Sequence, residues 1–137
     1  MKLQRSEKTR MKNLKDILYS VKIKQVVGDT DQDVNALYLS SLEVKAQGLF
    51  IAVKGFTTDG HKYISSAIDN GATAIICEEL PTEIQDDVTY LVVEDSSIAL
   101  AIVASNFYEN PSNLFNRIYY FTNVLLLAGN NMKFIVS

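Results

Sequence analysis

The chain has 137 residues, 47% hydrophobic and 21% charged, with six glycines, two prolines and one cysteine. That size predicts one domain with a real core, and that composition excludes a disordered, collagen-like or low-complexity chain. The formal charge of −3 is unevenly placed: residues 1–12 carry five basic side chains against Glu7, whereas the body is acidic, which argues against a nucleic-acid-binding domain.

Residues 1–12 read as a flexible basic extension, after which a more regular pattern begins. Asn13 is placed to cap a short helix with Leu14, Ile17 and Leu18 on one face. Residues 21–27 alternate, with Val21, Ile23 and Gln25 on one side and Lys22, Lys24 and Val26 on the other, which predicts a partly exposed strand. Gly28-Asp29-Thr30-Asp31 is a turn cluster. A second strand is expected over 34–39, a polar loop over 40–48 and a buried strand over 49–53. Residues 55–60 form a loop, and 61–70 carry Ile64, Ala67 and Ile68 at helical spacing, stopped by Asn70-Gly71. The apolar run 72–77 and the β-branched run 89–93 predict two more buried strands, joined by the acidic surface connection 78–87. Ser96 or Ser97 is expected to cap a helix reaching about Tyr108, with Leu100, Val103, Ala104 and Phe107 on one stripe. The order predicts one α/β domain, a mixed sheet flanked by helices, with a parallel βαβ unit built from 49–53 and 72–77.

Little in the chain suggests intrinsic catalysis. There is no CxxC, HExxH, GxSxG, GxxxxGK[ST] or GxGxxG. One histidine and one cysteine cannot make a structural zinc site. Cys77 lies in an apolar run and reads as a buried structural thiol, in keeping with a reducing compartment. The N-terminus lacks the apolar stretch of a signal peptide. The apolar stretch 118–128 is shorter than the ~20 residues that span a bilayer, so a cytoplasmic protein without a membrane partner is expected. What remains is loop chemistry. Ser40-Ser41 and Phe56-Thr57-Thr58 each follow a strand. If those strands are neighbours, hydroxyls and backbone amides at one sheet edge can hold an oxygen-rich ligand while Phe56 or Leu39 covers a flat ring. Ser and Thr also serve as turn residues, and Asp59 as a helix cap with Gly60 in an unusual backbone angle, leaving His61 to touch a ligand or bond locally.

These residues together resemble a known pattern. Gly48-Leu49-Phe50-Ile51-Ala52-Val53-Lys54-Gly55, Asp59-Gly60-His61-Lys62-Tyr63-Ile64, Ala67-Ile68 and Asn70-Gly71-Ala72 are similar to the N-terminal domain of the Mur ligases, whose pattern reads approximately DSRxVxxGxLFVAxxGxxxDGHxFxxxAxxxGA. Tyr90-Leu91-Val92-Val93-Glu94-Asp95-Ser96 and Ala104-Ser105-Asn106-Phe107-Tyr108 narrow the resemblance to the UDP-N-acetylmuramoyl-tripeptide synthetase (MurE) branch. The resemblance implies three domains in the whole enzymes, which ligate an amino acid to a cytoplasmic peptidoglycan precursor. The first binds the UDP end of UDP-MurNAc-L-Ala-D-Glu, and the second holds ATP and Mg²⁺ in a glycine-rich loop. It also implies that Leu39, Ser41, Phe56, Thr57 and Thr58 meet the UDP portion here, with Asp59, Gly60 and His61 supporting the loop.

The chain departs from that pattern in three places. Ser40-Ser41-Leu42 stands where the family has Asp-Ser-Arg, so only the central serine matches. The glycine expected before the LFVA run comes one place later, as Gln47-Gly48. After Pro111-Ser112 the family continues to TGTNGKT, whereas this chain runs through Leu114, Phe115 and Asn116 to Ser137 with no lysine followed by Ser or Thr. Residues 13–113 are thus expected to form the substrate-binding domain. Residues 114–137 are read as an apolar tail outside the family, as if the gene were truncated or frame-shifted there, and able to pair with another copy of the chain. No catalytic residue, cofactor or metal is expected in this chain, and alone it is predicted inactive as a ligase. Two other readings stay open, a stand-alone UDP-sugar-binding or dimerising module and a folded remnant without function.

Overall fold

A computed structural model of the chain describes residues 11–55 and 57–108. Phe56, most of the basic extension and the segment after Asn113 lie outside these residues. The elements in order are β1 (Lys12–Asn13), α1 (Leu14–Ile17), β2 (Ile23–Val27), β3 (Asp33–Val34), β4 (Leu37–Tyr38), a 3₁₀ turn (Ser41–Glu43), β5 (Gly48–Ile51), a second 3₁₀ turn (Gly60–Tyr63), α2 (Ile64–Asp69), β6 (Ala72–Cys77), β7 (Thr89–Val93) and α3 (Ser96–Tyr108).

Among the described residues, five strands form the main sheet in the order β2-β7-β6-β5-β4, and β1 pairs with β3 in a separate two-stranded ribbon. Strands β4, β5, β6 and β7 are parallel, and β2 closes one edge antiparallel to β7. The expected mixed sheet and parallel βαβ unit are therefore both present. The central strands show why their sequence lacks polar alternation: every residue of β5 and β7 is buried, because helices cover both faces.

Successive side chains divide between the two faces. Leu49, Ile51, Ala74, Ile76, Leu91 and Val93 pack with Leu14, Ile17 and the stripe Ala99, Leu100, Val103, Ala104 and Phe107 on the α1/α3 side. Phe50, Ala52, Ile75, Cys77, Tyr90 and Val92 pack with Ile64 and Ala67 of α2 on the other. Asn106 ties α3 to the end of α1, its amide donating to the carbonyls of Ile17 (3.0 Å) and Tyr19 (2.7 Å).

Several local expectations change in the structure. Lys12, read as the end of the extension, pairs with Val34 in the β1–β3 ribbon, so ordered pairing begins one residue earlier. The strand expected over 34–39 is two strands. The Asn35 N–H turns aside to the Gln47 carbonyl at 2.9 Å, and only Leu37–Tyr38 joins the main sheet. The register of β2 shifts between Ile23 and Gln25, so the simple two-sided alternation fails. Ile23 consequently packs on the α1/α3 side and Val27 on the α2 side. The helix expected over 61–70 opens as a 3₁₀ turn, because the Lys62 N–H reaches the Asp59 carbonyl at 3.1 Å. Finally, Asp95 and not a serine caps α3: its carboxylate accepts from the Ser97 (2.9 Å) and Ile98 (3.1 Å) N–H groups. Among the described residues no helix is long and apolar enough to cross a membrane.

Candidate functional site

Parallel pairing of Leu37 with Leu49 and Tyr38 with Phe50 makes β4 and β5 neighbours running the same way. The segments that follow them, bearing Leu39 to Leu42 and Lys54 to His61, therefore leave from the carboxyl end of the same sheet. This is the condition under which the sequence assigned a binding edge. The residues on that edge nevertheless diverge. Leu39 is half-buried and packs on the α1/α3 cluster. Ser41 is buried in the 3₁₀ turn on the opposite face, where its carbonyl accepts from the Asn70 side chain at the end of α2, at 2.8 Å.

The departures from the family pattern take definite structural roles. The Ser40 hydroxyl accepts from the Leu42 N–H at 3.3 Å, so it caps the turn as an aspartate would, without the charge. Leu42, standing where the pattern has arginine, is 86% exposed. Gln47, standing where the pattern has glycine, adopts φ +64°, the left-handed conformation that glycine occupies most easily.

The loop after β5 is closed on itself. Lys54 and Asp59 form an antiparallel bridge, the Gly55 N–H donates to the Thr58 carbonyl (3.0 Å), and the Gly60 N–H donates to the Val53 carbonyl (2.9 Å). Gly60 is required there, since a Cβ would lie 2.9 Å from the Val53 nitrogen and 3.0 Å from its oxygen. Thr57 is exposed and Thr58 half-buried on this loop, and Phe56 between Gly55 and Thr57 is outside the described residues.

Asp59, Gly60 and His61 are brought together at the second stem of this loop. The Asp59 carboxylate accepts from the His61 backbone at 2.9 Å and from ring Nδ1 at 2.6 Å. The other ring nitrogen, Nε2, accepts from the Glu78 N–H at 2.8 Å. An amide can only donate, so Nε2 is bare and the proton sits on Nδ1. Both ring nitrogens are thereby engaged within the protein. Partial burial works against ionisation of Asp59, but the His61 backbone and ring hydrogen bonds, with Lys54 nearby, hold its carboxyl below the usual range.

Two participants were missed in the sequence. The Glu78 carboxylate accepts from both the N–H and the hydroxyl of Ser96, each at 2.8 Å, and the Ser96 hydroxyl accepts from the Lys54 N–H at 3.1 Å. The available signal was position. Glu78 directly follows a buried strand, at the same sheet end as the loop, and Ser96 follows a capping aspartate. Cys77 beside Glu78 is no nucleophile, because burial pushes its thiol up to about 11.

Comparison with known proteins adds the following. The family model described as "Mur ligase family, catalytic domain" matches residues 33–108. The UDP-N-acetylmuramoyl-L-alanyl-D-glutamate--2,6-diaminopimelate ligase of Cytophaga hutchinsonii is 46% identical over 101 residues, covering 73% of this chain and 21% of that protein. The ligase of the same name from Clostridioides difficile is 43% identical over 125 residues, covering 88% of this chain and 23% of that protein. A share of 88% is more than residues 1–113 hold, so that similarity includes some residues after Asn113. The chain thus spans about a fifth of the length of these relatives. Among solved structures, crystal structure II of MurF from Acinetobacter baumannii superposes with a TM-score of 0.56 at 19% identity, covering 70% of this chain and 21% of that one. At that identity the likeness is one of fold.

Proposed function

The chain belongs to the Mur ligase family of peptidoglycan-precursor ligases, and from that premise we propose that residues 13–113 are the unit that binds the UDP end of UDP-MurNAc-L-Ala-D-Glu in the cytoplasm. The observation that carries this reading is the parallel pairing of β4 with β5, which opens both candidate loops at the carboxyl end of the sheet. Ligands of open α/β sheets bind outside that end of the strands. Leu39 and Phe56 offer apolar surface to the base. Ser41, Thr57 and Thr58 are assigned to the oxygen-rich part of the ligand, Ser41 from a buried position in its turn. Asp59, Gly60 and His61 hold the second loop in place.

The same reading makes binding weak. A family Asp and Arg would supply charge-assisted hydrogen bonds, roughly twice as strong as neutral ones, where this chain has Ser40 and Leu42. The glycine-rich loop that the resemblance implies for ATP and Mg²⁺ in the whole enzymes has no match in the residues after Pro111-Ser112. Among the described residues no three His, Cys, Asp or Glu side chains group to hold a metal ion. The role we propose for this chain is recognition of the uridine end, with no ligation step assigned to it.

Calorimetric titration of the full chain with UDP-MurNAc-L-Ala-D-Glu, UDP and ATP tests the proposal. Weak saturable binding of the first, little of UDP and none of ATP is expected. Binding of no uridine ligand overturns the reading, and ATP-dependent ligation by the purified chain overturns its non-catalytic part.

A further inference from the structure

Lys54, Ser96, Glu78, His61 and Asp59 are joined in that order by a chain of hydrogen bonds, the circuit of this site. The Lys54 N–H donates to Ser96 Oγ (3.1 Å), and the Ser96 hydroxyl and N–H both donate to Glu78 Oε2 (2.8 Å each). The Glu78 N–H donates to His61 Nε2 (2.8 Å), and His61 Nδ1 donates to Asp59 Oδ1 (2.6 Å). Asp59 stands opposite Lys54 across the loop, where the Gly55 N–H to the Thr58 carbonyl (3.0 Å) and the Gly60 N–H to the Val53 carbonyl (2.9 Å) pair the two stems. The circuit runs through the loop after β5, the end of β6 and the first residue of α3, and its two ends are the two stems of the loop bearing Phe56, Thr57 and Thr58.

We propose that Glu78 and Ser96 are positioning residues for that loop, fixing its stems in the geometry that admits the uridine end of the substrate while touching no ligand themselves; this rests on the uridine-binding reading above. Three observations carry it. Ser96 is 1% exposed, so its hydroxyl is the dedicated acceptor for the Lys54 N–H and water cannot easily replace it. Removing the Ser96 hydroxyl leaves the Lys54 N–H without its acceptor, and removing the Glu78 carboxylate leaves the Ser96 hydroxyl and N–H without theirs. The packing of α3 on β6 and β7 is apolar, through Ala99, Leu100, Val103 and Phe107, and does not pass through the circuit. Opening the circuit should therefore release the loop and leave the domain folded.

The test uses the full 137-residue chain and its Ser96→Ala, Glu78→Ala and Glu78→Gln variants, read by amide hydrogen exchange of the free protein and by calorimetry with UDP-MurNAc-L-Ala-D-Glu. Ser96→Ala and Glu78→Ala should speed exchange at residues 54–59 and weaken binding about tenfold, the scale of one hydrogen bond left unmade. Glu78→Gln keeps a carbonyl oxygen as acceptor and should recover most of both, which a general loss of stability would not. Unchanged exchange at 54–59 in Ser96→Ala overturns the positioning role whether or not the ligand binds, as does faster exchange spread evenly over the chain. Failure of the unaltered chain to bind refutes the uridine reading and leaves the exchange result to judge the positioning alone.

Discussion

Two limbs of the sheet follow the family pattern to different degrees, and their structures differ accordingly. The limb β5–loop–α2–β6 keeps the pattern almost residue for residue. There Gly60 sits where a Cβ would strike the Val53 backbone, and Asp59 caps the following turn. Gly71 takes φ +121° directly before β6. The limb β4–turn–Gln47 departs from the pattern, and it substitutes weaker parts for stronger ones. A neutral serine caps the turn, an apolar side chain meets solvent at Leu42, and a glutamine holds a glycine's conformation at Gln47. The backbone course survives in both limbs. What the second limb loses is charge and conformational ease, the properties that recognition and stability draw on.

The comparison can be broken or sharpened by substitution, from the largest effect to the smallest. Ile51→Ala, in the buried run of β5, should cost about 2–5 kcal/mol in denaturant unfolding, since the sheet on either side cannot collapse into the space. Gly71→Ala should cost roughly 1–3 kcal/mol, because its Cβ would lie 2.8 Å from the Ala46 Cα at a φ that side chains avoid. Asp59→Ala removes a cap and should cost about 0.5–2 kcal/mol at neutral pH. The sign of its pH dependence is fixed. The folded carboxyl ionises more readily than the unfolded one, so its contribution is complete above the ordinary carboxylate range and fades as pH falls through the folded value. A wild-type-minus-variant difference that stays constant into strong acid would contradict this.

In the departed limb the sign reverses. Gln47→Gly should stabilise by about 0.5–1 kcal/mol, raising the denaturant midpoint with an unchanged slope. Leu42→Arg should leave stability within about 0.5 kcal/mol, as exposed substitutions usually do. It should nevertheless strengthen binding of the UDP-linked substrate in a salt-dependent way. A Gln47→Gly variant less stable than the parent would show that the glutamine side chain is needed where it stands.

Much of this architecture was legible in the residues. The strands over 72–77 and 89–93 are found with the expected bounds, because continuous apolar runs of that length have few alternatives in a two-sided sheet. The cap at Asn13 and the stripe on α3 are also where periodicity put them. Several of the misses share a cause, a partner far away in sequence, whereas the 3₁₀ opening at Gly60 and the Asp95 cap are local. Residues 34–39 break because Gln47 accepts from Asn35, and Lys12 joins a strand because Val34 lies opposite it. Ser96 looked like a cap because its true acceptor, Glu78, is 18 residues away across the sheet. For the site, the shared edge of the two loops was conditional on strands β4 and β5 being adjacent, and adjacency is a tertiary fact. Strand alternation would place Leu39 and Ser41, two residues apart, on one side; the 3₁₀ turn that begins at Ser41 sends them apart instead.

The brevity of β4 and the register shift in β2 have a consequence for the molecule in concentrated solution. Among the described residues these are the two outer strands of the main sheet. One offers a visiting chain only two residues, and the other is kinked at Lys24 and carries exposed Lys24 and Gln25. Neither presents the long, flat, apolar border on which strands of another molecule add most readily. A sheet whose central strands are apolar on both faces is thus kept from growing sideways, and its rims act as a guard against self-templated aggregation.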